Sequence, residues 1–180
     1  MMLKKILGYT LAIALIVLSG ILVRHYLLTP AIETGTISTQ SFFAAEFPGL
    51  DGQPQPLKQW QGKTMVVNFW ATWCPPCLEE MPELSSLHAD FQDQNLIVLG
   101  ISSDDLEKIR EFSSQTPVSY PLLSGDIDAM NISESLGNDK GVLPYTVIIS
   151  PDGRLVKSYF GLINQALLEQ DLRDLQLIKK

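Results

Sequence analysis

The sequence predicts an α/β domain built on a mixed sheet, and three observations carry that prediction. Strand and helix signals alternate from about residue 41 onward, the pattern of a layered α/β fold. The run Thr64-Met65-Val66-Val67-Asn68-Phe69-Trp70 is apolar at nearly every position and reads as a buried strand. Near the C-terminus, Tyr145 to Ile149 and Leu155 to Phe160 flank Ser150-Pro151-Asp152-Gly153, so the two pair as a hairpin across a turn.

The elements follow in chain order. Phe42 to Phe47, with the Asp51-Gly52 turn, predict a short leading hairpin. After the buried strand, Pro76 suits a first helical turn. Leu78, Met81, Leu84, Leu87 and Phe91 then recur at threes and fours, which predicts a helix from about Pro76 to Gln92. Pro82 falls inside that helix, loses one backbone hydrogen bond and is read as shape rather than chemistry. Leu96 to Ile101 is the next strand, and Asp104-Asp105 open a helix to about Ser114. A strand near Tyr120 to Leu123 and a short helical stretch from about Ile127 to Leu136 follow. Gln165 to Leu177 closes the chain as a helix with apolar spacing.

Composition sets the class. With 46% hydrophobic and 18% charged residues among 180, and no repeat or low-complexity tract, the chain suits one globular domain, predicted over residues 41–180. A domain of that size builds its own core and does not need disulfide staples to fold. All 20 acidic residues lie after residue 30, with ten of the 13 basic ones, so this part carries ten excess negative charges. That balance argues against a nucleic-acid partner.

The first residues form a separate object. Lys4 and Lys5 precede an apolar run from Ile6 to Val23, with a softer continuation to Leu28. Eighteen apolar or small residues suffice to cross a bilayer. The basic residues before the run place residues 1–5 in the cytoplasm, 6–28 as a membrane anchor or signal-anchor, and the rest outside. A cleaved signal peptide, giving a secreted soluble form, is the alternative; Val17-Leu18-Ser19 is the best cleavage site, and it is not a clean one. No cysteine follows closely, so a thiol-linked lipid has nothing to attach to. Residues 29–40, TPAIETGTISTQ, read as a polar linker.

Both cysteines of the chain, Cys74 and Cys77, lie between the end of the buried strand and the start of the helix, with only Pro75 and Pro76 between them. Unsatisfied N–H groups and the macrodipole at a helix N-terminus stabilise an anion, which favours a Cys74 thiolate. Cys77 lies one turn on, where a disulfide back to Cys74 closes without large backbone movement and the sulfur is shielded. One sulfur can therefore attack and the other resolve. A permanent staple over so short a loop stabilises by only about 2 kcal/mol in the loop-closure account. A tetrahedral zinc site lacks ligands, because only His88 could join the pair and His25 sits at the membrane.

These residues resemble a known family. Trp73-Cys74-Pro75-Pro76-Cys77 after a Val-Val-Asn-Phe-Trp strand, with Leu143-Pro144-Tyr145 entering a later strand, resembles the thioredoxin-fold thiol–disulfide oxidoreductases, most closely the membrane-anchored TlpA/ResA/DsbE-like group. The resemblance covers about Ser41 to the C-terminus. It implies a thioredoxin-like fold, a central sheet flanked by helices, with an N-terminal hairpin and a helix-strand insertion between Cys77 and Pro144. It also implies a reactive Cys74, a resolving Cys77 and a cis Leu143–Pro144 bond facing the disulfide; read plainly, Pro144 would be a trans proline at a strand start. Trp73, Pro75, Pro76, Leu143 and Pro144 would then form the docking and structural rim of the site. No cofactor beyond the Cys74–Cys77 disulfide is implied. The implied partners are disulfide-bearing proteins, apocytochrome c first among them, and a DsbD- or CcdA-like membrane electron donor.

One departure from thioredoxin is informative. Asn68 stands where thioredoxin carries a buried acid, and an amide takes up no proton at neutral pH. Glu80, six residues past Cys74 on the helix face nearest the sulfurs, matches a glutamate of ResA-like proteins. Partly buried, it would have a raised pKa and exchange a proton with Cys77. The plainer reading is that Glu79, Glu80 and Glu83 complement the helix N-terminus.

Three rival functions use parts of the same pattern. A dithiol oxidase or isomerase needs the same residues at a higher potential. A peroxiredoxin wants a threonine three residues before its reactive cysteine, where this chain has Ala71. A Sco-like copper-binding chaperone separates its cysteines by three residues and adds a distal histidine, whereas no histidine follows His88 here.

Overall fold

The computed structural model describes residues 37–179. The segments expected to be a cytoplasmic N-terminus (1–5), a membrane anchor (6–28) and most of the linker (29–40) lie outside those residues; among the described residues no helix is long and apolar enough to cross a membrane.

In chain order the domain runs α1 (Gln40–Ala44), β1 (Glu46–Pro48), β2 (Pro54–Pro56), a 3-10 turn (Leu57–Trp60), β3 (Thr64–Trp70), α2 (Pro75–Phe91), a second 3-10 turn (Gln92–Gln94), β4 (Leu96–Ser102), α3 (Leu106–Gln115), β5 (Leu122–Ser124), α4 (Asp126–Ser135), β6 (Tyr145–Ile149), β7 (Leu155–Phe160) and α5 (Gln165–Asp174). The central sheet has the order β5-β4-β3-β6-β7. β3, β4 and β5 run parallel, while β6 and β7 are antiparallel additions. This is the mixed sheet of a thioredoxin-like fold.

The leading hairpin forms from β1 and β2, but Phe42 to Ala44 are helical rather than extended. A single helical turn, closed by Phe43 N–H on the Thr39 carbonyl, drops Phe42 wholly into the core beside Phe43. Adjacent phenylalanines look like strand residues until tertiary burial of one of them decides the backbone.

Alternation of side chains along the strands divides the core into two layers. Val66, Trp70, Val98 and Ile148 face the layer filled by Met81, Leu84 and Leu87 of α2 and by Leu168 and Leu172 of α5. Met65, Val67, Phe69, Leu99, Ile101, Val147 and Ile149 face the opposite layer, with Phe42 of α1 and Ala129 of α4. All seven residues of β3 and of β4 are buried, since both faces are covered. Met81, Leu84 and Leu87 are essentially inaccessible, and burial of each side chain stabilises by about 1.5–3 kcal/mol.

Helix ends follow local chemistry. The Asp105 side chain accepts the Lys108 N–H and starts α3, and Asn164 does the same for Leu167 at the start of α5. At the end of α5, Leu177 N–H reaches back to the Leu172 carbonyl and Gln176 N–H to Arg173, with Gln176 in the left-handed region at φ 58°. This Schellman closure ends the helix at Asp174, short of the Leu177 that apolar spacing predicts.

Gly100 in β4 sits where a side chain would crowd its buried neighbours. A Cβ there would lie 2.7 Å from Leu122 Cδ2, 3.1 Å from Tyr120 Cε2 and 3.2 Å from Trp70 Nε1. Gly100→Ala should therefore destabilise the domain by about 1–3 kcal/mol, read as a fall in the urea midpoint with an unchanged m-value. An equal or higher midpoint would show that Leu122 and the two aromatic rings yield at no cost.

Candidate active site

Cys74 and Cys77 are joined as a disulfide with Cα atoms 5.3 Å apart. Cys74 is the N-cap of α2, and its carbonyl accepts the N–H groups of Cys77 at 3.0 Å and Leu78 at 3.2 Å. The helix therefore begins at Pro75, one residue before the predicted start, with both prolines in the turn where a missing N–H costs nothing. Cys77 is fully buried and Cys74 is 4% exposed, so what little access the pair has is through Cys74.

Two tryptophans flank the motif differently. Trp70 is fully buried against the Phe112 ring, at 5.2 Å between centroids. Trp73, next to Cys74, is 68% exposed. The Leu143–Pro144 peptide bond is cis, and Leu143 packs against the cluster that holds Cys74 and Cys77. The Pro144 carbonyl accepts the Gly161 N–H at 2.9 Å, which ties this loop to the end of β7. Val142, Phe160 and Leu162 beside it are exposed apolar residues.

Glu80 lies one turn past Cys77 on the buried face of α2 and is wholly inaccessible. Its Oε1 accepts the Asn68 amide at 2.6 Å and its Oε2 the Ile163 N–H at 3.1 Å. Asn68 also donates to Thr146 Oγ1 at 2.9 Å. Burial pushes the Glu80 carboxyl up to about 7, against the smaller lowering effects of the Ile163 N–H and the Asn68 amide. The other acids of this helix differ: Glu79, Glu83 and Asp90 are exposed, and Glu83 accepts the Gln165 N–H at the start of α5 at 3.0 Å. Glu80 is thus set apart by burial, and its hydrogen bonds run to β3 and to the loop before α5 rather than to the start of its own helix.

Sequence reasoning recognised Asn68 as a lost acid but not as the donor that holds Glu80. The register supplies the missing signal, since β3–β6 pairing puts Asn68 opposite Thr146 on the face under α2. Asp104 was also missed. Read as the opening of a helix, it is instead 4% exposed, and its carboxylate accepts the Thr72 N–H at 2.6 Å, two residues before Cys74. Among the described residues no group of three or more His, Cys, Asp or Glu side chains is placed to hold a metal ion.

Comparison with known proteins agrees with this geometry. The AhpC/TSA family profile matches residues 39–158. The thiol-disulfide oxidoreductase ResA of Halalkalibacterium halodurans is 28% identical over 123 residues, covering 67% of each chain. The thioredoxin-like protein YneN of Bacillus subtilis is 31% identical over 129 residues, covering 68% of this chain and 71% of YneN. A thioredoxin-family thiol:disulfide interchange protein from Chlorobium tepidum superposes with a TM-score of 0.64 at 22% identity, over 72% of this chain and 91% of its own. The match over most of the domain, on a thioredoxin-like sheet with a Cys-Pro-Pro-Cys disulfide at the start of α2, shows that the chain belongs to the AhpC/TSA family and to its TlpA/ResA/DsbE-like thioredoxin-fold members.

Proposed function

We propose that this thiol–disulfide oxidoreductase works as a reductant of protein disulfides outside the cytoplasm, anchored to the membrane by its N-terminal segment. The observation that carries the reading is the pairing of a helix-capping disulfide with a buried carboxyl one turn away whose pKa is lifted to about 7. In the reduced protein the Cys74 thiolate attacks one sulfur of a partner's disulfide. A Cys74–partner bond forms, the partner's S–S bond breaks, and its second sulfur leaves as a thiolate. Cys77 passes its proton to Glu80 and attacks Cys74 Sγ, which expels the partner's first thiolate and closes the Cys74–Cys77 bond. Two electrons have then moved to the partner. Trp73, Leu143 and Pro144 form the docking rim, and Pro75 and Pro76 shape the turn between the sulfurs.

Apocytochrome c is the leading client, because its haem-attachment cysteines must be reduced thiols and are of the Cys-x-x-Cys type. The names of the ResA relatives support an oxidoreductase, and a DsbD- or CcdA-like membrane donor would restore the electrons that an oxidising compartment does not supply. The deciding experiment equilibrates the purified protein with defined thiol–disulfide buffers and measures the oxidised fraction of Cys74–Cys77. A midpoint near or below about −220 mV supports the reductant. One near about −120 mV makes the protein an oxidant of folding chains and reverses the proposed flow of electrons.

A further inference from the structure

The segment Ala71–Cys74 leaves the end of β3 and delivers Cys74 to the cap of α2. Ala71 and Cys74 are packed in the core, while Thr72 and Trp73 between them are held mainly through the backbone. Ser103 N–H bonds to the Trp70 carbonyl at 3.0 Å, and Cys74 N–H closes a turn on the Ala71 carbonyl at 3.2 Å. The Thr72 N–H is held by Asp104 Oδ2 at 2.6 Å. Trp73, at 68% exposure, has little packing to fix its direction, so the backbone on either side of it must do so.

Asp104 is itself rigidly placed. Its carboxylate also accepts the Ser102 hydroxyl at 3.1 Å, its own N–H donates to Ser102 Oγ at 3.0 Å, and its carbonyl accepts the Ser124 hydroxyl at 3.0 Å. Ser102 and Ser124, both buried, end β4 and β5. The ends of three parallel strands therefore meet at one residue, β3 and β4 at its carboxylate and β5 at its backbone carbonyl. Among the described residues no Lys or Arg pairs with Asp104. A buried carboxylate with only neutral donors is a costly way to close a loop if closure is all that is needed. Its advantage is a short charge-assisted hydrogen bond, stronger and more directional than a neutral one.

We infer that Asp104 is a positioning residue for thiol–disulfide exchange: through the Thr72 N–H it sets the direction in which Trp73 and the Cys74 sulfur meet a partner protein. The inference rests on the redox reading of the Cys74–Cys77 pair. It assigns no bond-making to Asp104, which acts only through the backbone of the segment it holds.

The test compares two probes on the reduced full-length protein. One is a synthetic peptide carrying a Cys-x-x-Cys disulfide, which must dock; the other is iodoacetamide, which needs only the thiolate. Asp104→Ala should slow exchange with the peptide about tenfold while alkylation stays within about threefold, because a displacement well under 1 Å spoils a docked geometry before it affects a small reagent. Asp104→Asn keeps an oxygen in reach of the Thr72 N–H without the charge, and should recover part of the peptide rate, falling between Ala and wild type. Equal slowing of both probes, or a lower melting temperature with neither rate changed, would reduce Asp104 to a structural role and overturn the inference. So would an Asn variant as slow as Ala. Should the Ala variant not fold, Asp104→Glu keeps the charge but displaces its oxygens by one methylene; the same selective loss is expected, and an unchanged peptide rate overturns the inference. A wild-type protein that is alkylated at Cys74 but exchanges with no disulfide would remove the redox reading itself, an outcome distinct from all of these.

Discussion

Cys77→Ser is expected to stop turnover and to leave Cys74 covalently bound to its partner. In the wild-type protein the resolving sulfur is held one helical turn from Cys74, with Cα atoms 5.3 Å apart and no access to solvent around it. Resolution is therefore intramolecular, with the high effective concentration that such an arrangement gives. Without Cys77, release depends on an external thiol at millimolar concentration, and it should slow by at least about 10³-fold. The trapped species is a protein–partner adduct that survives non-reducing electrophoresis and disappears with dithiothreitol. Cys74→Ser should give no adduct, because the remaining Cys77 is buried. Adducts from Cys74→Ser and none from Cys77→Ser would exchange the roles of the two sulfurs. Neither change should unfold the domain, since closing so small a loop contributes only about 2 kcal/mol.

What could be read from the chain alone was what short-range pattern determines. The run from Thr64 to Trp70 forms β3 over that same span, and the threes-and-fours spacing from Leu78 to Phe91 forms the buried face of α2. The cysteine pair at their junction was legible because it depends only on that junction. The cis Leu143–Pro144 bond was legible only through family resemblance, since an isolated X–Pro bond favours trans. The α1 turn was not legible, because the burial of Phe42 against the far side of the sheet decides it. Asp104 was hidden for a related reason. Next to Asp105 it looks like a helix start, and Asp105 does cap α3. Only the parallel register of β3 with β4, pairing Trp70 with Ser102, brings Asp104 to Thr72. The partners of Glu80 likewise come from β3 and from the loop before α5, far apart in sequence and adjacent only in the packed layers.

Glu80→Gln separates the two things that this buried carboxyl does. Its hydrogen bonds can survive the change. Asn68 Oδ1 has no partner among the described residues, so the Asn68 amide can turn over and accept from the new glutamine, while the glutamine oxygen keeps the Ile163 N–H. The turned Asn68 Nδ2 then takes the position where Oδ1 has no partner, a cost that does not vary with pH; the pH-dependent loss is confined to the titration. In the folded protein the carboxyl holds its proton to about pH 7, whereas in the unfolded chain it releases it near 4.5. Between those values the native state binds more protons than the unfolded state, so this group makes stability fall as pH rises. Relative to wild type, Glu80→Gln should therefore gain about 3 kcal/mol on going from pH 4 to pH 8, measured by urea unfolding across that range. Kinetics should move the other way. Above pH 7 the Glu80 carboxylate can take the Cys77 proton, and removing that base should slow resolution of the mixed disulfide about 10²-fold and abolish the inflection near pH 7. A variant with the stability gain but an unaltered rate profile would show that Glu80 titrates in the fold and takes no part in the exchange. A variant lacking both would mean that the carboxyl is ionised at ordinary pH, and that the Asn68 and Ile163 donors outweigh its burial.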